Sequence, residues 1–90
     1  MSNFRSTNNK GFQMTFENGW TISVQFGHGN FCCHRNHENQ PKRIHECPDA
    51  EIAIWDANGE CYNFGSDVAK GYCSADEVAT WIKFTADLGK

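Results

Sequence analysis

The sequence predicts an α+β fold in which two β-hairpins form an antiparallel sheet and one C-terminal helix packs on one face, in the order ββ-loop-ββ-α. Three observations lead there. Apolar and polar residues alternate over residues 12–16 and 20–26, and again from residue 51. An x-Asn-Gly triplet, Glu17-Asn18-Gly19 and later Ala57-Asn58-Gly59, follows an alternating stretch in both halves of the chain, and this is hairpin-turn chemistry. From Ser74 onward the apolar period changes from two to 3.6.

The register of the first hairpin follows from its apolar rows. A two-residue Asn18-Gly19 turn would pair Phe16 with Thr21 and put the rows on opposite faces. A three-residue loop over 17–19 pairs Phe16 with Trp20, Met14 with Ile22 and Phe12 with Val24, all on one face. Gly19 then takes the left-handed position of a type I turn with a G1 bulge. The same reasoning joins residues 51–56 to residues 60–64 through a loop at 57–59. It pairs Ile54 with Tyr62 and Ile52 with Phe64 on one face, and Trp55 with Cys61 on the other.

The helix begins at a capping box, Ser74 with Glu77, and Asp76 and Glu77 suit the positive end of its dipole. Val78, Trp81, Ile82, Thr85 and Leu88, with Phe84 at the margin, make one stripe. Asp76, Thr80, Lys83 and Asp87 take the other side, and Gly89 ends the helix. A helix this short is marginal alone, so its stripe must pack on the sheet. Residues 1–10 are polar and read as a flexible N-terminus. Residues 11–90 read as a single domain with a long loop at 27–48.

A chain of 90 residues buries a thin core, which three Trp and seven Phe thicken. The net charge of −3 argues against general nucleic-acid binding, which relies on many Lys and Arg contacts to phosphate. No apolar run approaches the roughly 20 residues that span a bilayer, and residues 1–10 contain no secretory h-region. Five cysteines without a signal segment fit a reducing cytosol, where thiols stay free or bind metal. Cys61 and Cys73 best fit the role of small buried hydrophobes.

Chemistry-bearing residues concentrate in the stretch 27–48, which has no periodicity and holds all four histidines. Cys33, His37, His45 and Cys47 offer the soft sulfur and imidazole ligands of a tetrahedral zinc site. Cys32 and His34 are equally suitable donors, and a polar loop that binds no metal is the competing reading. Gly27, His28, Gly29 and Asn30 leave a strand with two close glycines, whose backbone N–H groups can converge on an anion. Phe31 beside them can stack on a base. Arg35, Lys42 and Arg43, against Glu38, give a local charge of +2 suited to a few phosphates. A chain reversal and a solvated loop are the plain alternatives.

Cys–His catalysis needs a thiolate, a positioned base and an oxyanion hole on rigid supports. Here the candidates share one loop, and Glu51, Asp56 and Glu60 sit at strand ends, so the expectation is a protein that is not an enzyme. Trp55 is expected to point away from the apolar face with Ala53 and Cys61, which makes it a candidate for a homo-oligomer interface.

Taken together, GFQMTFENGWTISVQFGHGNFC, AEIAIWDANGECYNF and GYCSADEVATWIKF resemble a group of small proteins of tailed bacteriophages, over nearly all of the chain after residue 10. The resemblance rests on turn and core positions and carries no catalytic signature. By analogy of size and setting it implies an anti-defence role in the cytoplasm of an infected bacterial host. The expected function is a non-enzymatic, oligomeric sponge that sequesters a cyclic or similar phosphorylated nucleotide signal. A zinc-stabilised or purely protein-interacting inhibitor of a host defence protein, with no small-molecule ligand, is the alternative.

Overall fold

The computed structural model describes residues 2–7, 11–26 and 48–89. It is an α+β fold: β1 (Asn3–Ser6), β2 (Gly11–Thr15), β3 (Thr21–Gln25), β4 (Asp49–Trp55), β5 (Lys70–Ser74) and α1 (Ala75–Ala86). The five strands make one antiparallel sheet in the order β1-β2-β3-β4-β5, with α1 packed against it.

The β2–β3 hairpin has the register that its apolar rows predict, with Phe12 opposite Val24 and Met14 opposite Ile22. Phe16 N–H donates to Trp20 O at 2.9 Å, Gly19 N–H closes the turn on Phe16 O at 2.9 Å, and Gly19 has φ +88°. The second triplet turns the same way, with Asp56 N–H to Glu60 O at 2.9 Å and φ +84° at Gly59. Gly11 opens β2 for a different reason. A Cβ there would lie 1.9 Å from Val24 O, so only a hydrogen fits between the two strands.

Three features depart from the sequence expectation. Asn3–Ser6, within the segment expected to be a flexible terminus, pair with β2 as an edge strand. Residues 60–64 are not the fourth strand. Past the Trp55–Cys61 bridge and the Tyr62 N–H to Ile54 O bond of 2.7 Å, the chain leaves the sheet. The cause is local: Asn63 Oδ1 accepts from Gly65 N–H at 2.7 Å, an Asx turn that bends the backbone away. Tyr62 and Phe64 then form an aromatic cluster with Trp81 and Phe84 of α1, ring centroids 5.0–6.0 Å apart and all contacts edge-on except the tilted Tyr62–Trp81 pair. The place beside β4 goes to β5, so Ile52 faces Lys70 where Phe64 was expected.

The core lies between the sheet and α1. Ile22, Ile52 and Ile54 are fully buried, with Val24, Ala50, Cys73 and Val78 around them. The α1 backbone lies over β3, β4 and β5 and not over β1 or β2. Ser74 caps its start with the predicted box: Ser74 Oγ accepts from Glu77 N–H, and Glu77 Oε1 accepts from Ser74 N–H. Its end is held from across the sheet. Asn18 Nδ2 donates to Thr85 O at 2.8 Å, Leu88 O at 2.8 Å and Ala86 O at 3.2 Å, while Asn18 Oδ1 accepts from Trp20 N–H.

The two triplets therefore differ in cost when their asparagines are replaced. Asn18→Ala should destabilise by about 1–3 kcal/mol in chemical denaturation, because helix carbonyls lose their donor. Asn58→Ala, whose backbone turn is held by the Asp56 carboxylate, should stay within about 0.5 kcal/mol. Gly11→Ala should cost about 2–3 kcal/mol or more through the clash with Val24 O.

Candidate ligand-binding site

Next to the core, where β3 ends and β4 begins, a pocket of about 270 Å³ opens between α1 and the sheet. Phe12, Val24, Ala50 and Cys73 supply its sheet side, and Ala75, Val78, Ala79 and Ile82 its helix side. Phe26, just past β3, and Pro48 and Asp49, at the start of β4, complete its lining. The local sequence makes the space. Ala75 and Ala79 lie four residues apart on one helix face, and their methyl groups leave room that a longer side chain would fill.

Among the lining groups, Cys73 has chemical potential, and its environment holds it in the thiol form. It is 1% exposed, and burial pushes its pKa above the ordinary 9.0. The Glu77 carboxylate adds to the rise, Lys70 opposes it, and Asp49 adds a further increment. Sγ donates towards Lys70 O at 3.6 Å and Gly71 O at 3.9 Å, so its proton points into the bulge of its own strand. A protonated thiol is a poor nucleophile and a poor metal ligand. What the pocket offers is an apolar surface that can bury a flat or branched ligand part.

The opposite face of the sheet is polar. Thr15 and Thr21 share a 2.8 Å hydroxyl–hydroxyl bond, and Gln25 Nε2 donates to Thr7 Oγ1 at 2.7 Å and Ser23 Oγ at 3.0 Å. Trp55 lies on this face between Thr21 and Cys61, half-buried, with Ala53 two residues before it, also half-buried, and Cys61 exposed. Cys61 and Cys73 are both free thiols.

The predicted ligand set Gly27, His28, Gly29, Asn30, Phe31, Arg35, Lys42 and Arg43 lies outside the described residues. So does the predicted zinc set Cys33, His37, His45 and Cys47. No group of His, Cys, Asp and Glu suited to a metal occurs among the described residues. No helix among them is long and apolar enough to cross a membrane. Sequence reasoning placed Val78 and Ile82 on the packing stripe but did not see the pocket. The available signal was the pair of alanines beside that stripe. Comparison with known protein families, curated proteins and solved structures finds no match.

The raised pKa of Cys73 has a signed consequence. The folded protein holds the thiol proton more tightly than the unfolded chain, so its contribution is intact below the unfolded thiol value. It is lost as pH rises through and beyond 9.0. Urea denaturation across pH 7 to 10.5 should show stability falling at the alkaline end, and Cys73→Ala should flatten that part of the curve.

Proposed function

We propose that the protein is a non-enzymatic binding module that captures a small anionic nucleotide, with its apolar part in the pocket between α1 and the sheet. One observation carries the reading: Phe26 and Pro48 both line that pocket, and they are the residues that flank the segment holding Arg35, Lys42 and Arg43. The described chain therefore stops at Phe26 and resumes at Pro48 on the lining of the same pocket. A ligand with a planar base and phosphates suits this division, base against Phe12, Val24 and Ile82 and phosphates towards the basic segment. The biological setting that fits is removal of a signalling nucleotide from a bacterial host by a phage protein, so that the defence it triggers is silenced.

The test is a thermal-shift panel of cyclic dinucleotides, cyclic trinucleotides and cyclic ADP-ribose isomers. A cognate ligand at about a hundred times its Kd should raise the midpoint by about 10 °C or more. Ala79→Trp, which fills the pocket from an exposed helix position, should keep the fold and lose the shift. A parent that shifts with none of the panel removes the nucleotide reading. An undiminished shift in Ala79→Trp moves the ligand away from the pocket.

A further inference from the structure

We infer that the outer edge of β1, which pairs with no strand among the described residues, is a self-association surface, on which a second copy of the chain adds its own β1 in antiparallel fashion. This goes beyond the ligand-binding reading and does not depend on it. The parity of the sheet's hydrogen bonds identifies the groups that face outward. Phe16 N–H bonds to Trp20 O in β3's direction, so the even residues of β2 serve β3 and the odd ones serve β1. Thr7 N–H to Gly11 O, at 3.2 Å, agrees. Asn3 and Arg5 therefore turn their backbone groups to β2, while Phe4 and Ser6 turn theirs away from the sheet.

The two sheet edges are built differently. On β5, Gly71 and Tyr72 together oppose the single Glu51, and Tyr72 sits at φ +57°, a strained bulge that disrupts an incoming ladder. β1 pairs with β2 in continuous register, has no proline, and displays Phe4 at 75% exposure, the highest among the exposed large hydrophobics. Of the three registers that bring the outward groups of two copies together, the one centred on Ser6 leaves both Phe4 rings beyond the paired strands, and two remain. In one, Arg5 lies opposite the second copy's Arg5, which is repulsive. In the other, Phe4 lies opposite the second copy's Phe4 in a hydrogen-bonded pair, and Arg5 lies opposite Asn3. The second register buries both rings against each other and separates the charges, so it is the one assigned. An edge of four residues buries less than the roughly 1,200–2,000 Å² of stable complexes, so association is weak and concentration-dependent.

Residue-resolved amide exchange by NMR, run with sedimentation across the micromolar-to-millimolar range, decides it. Exchange at Phe4 and Ser6 should slow with rising concentration, while Asn3 and Arg5 stay unchanged. Phe4→Pro and Ser6→Pro remove only outward donors and should raise the dimer dissociation constant at least about tenfold. Should these variants lose β1 itself, Phe4→Lys keeps its backbone donors and must weaken the dimer in the same way. A monomer at every concentration overturns the proposal, as does a dimer that Phe4→Lys leaves intact. A dimer insensitive to β1 changes but lost in Trp55→Glu overturns it in favour of the polar face.

Discussion

The Asn18 side chain joins two parts of the chain that are 67–70 residues apart in sequence. Its carboxamide oxygen fixes the β2–β3 turn through Trp20 N–H, and its nitrogen serves three carbonyls at the end of α1. At the other end, α1 follows β5 without a linker and is capped by the last residue of that strand. The helix is therefore tied at both ends to the sheet it covers, from β5 at its start to the β2–β3 turn at its finish. An isolated helix of twelve residues would be marginal. Here its direction is set by hydrogen bonds, and its stripe of Val78, Ile82 and Thr85 is delivered onto Ile22, Ile52 and Ile54.

Legibility in the sequence follows how local the determining interactions are. The β2–β3 hairpin and the helix start depend on residues within a few positions of each other, so alternation, Asn18-Gly19 and Ser74 with Glu77 sufficed. β1 and β5 were hidden because neither carries an apolar row of its own. Asn3–Ser6 contribute one aromatic ring, and KGYCS contains a glycine and a bulge. Each is a strand because a neighbour with a strong pattern presents it with an unpaired ladder, a tertiary effect that no window of the sequence displays. Residues 60–64 show the converse. They have strand-like alternation, but an Asx turn and two aromatic partners on α1, Trp81 and Phe84, draw them off the sheet. The pocket was illegible for a related reason, since it is a property of what α1 lacks at two positions once the helix is in place.

A single helix placed in this way cannot cover five strands. Its backbone reaches β3, β4 and β5, which leaves Phe12 and Met14 half-buried and Phe4 in solvent. The same geometry that makes a dense core under α1 leaves apolar surface on the β1 side and at the strand ends.

The open volume at those strand ends is not forced by the size of the domain. A thin core gains stability from every buried methylene, about 0.8 kcal/mol each, and Leu or Met at helix positions 75 and 79 would give up only a few tenths of a kcal/mol of propensity, as an order of magnitude. Side chains of that length would take up volume in the pocket that both positions line. Alanine at both positions therefore leaves stability unclaimed in a protein with little to spare, at the place where residues 27–47 leave and rejoin the described structure. Cys73 fits the same pattern. It is small, buried and protonated at the pocket wall, where a larger residue would again fill the volume. Three small residues from two elements converge on one apolar space, and that convergence ties the binding reading to the physics of the fold.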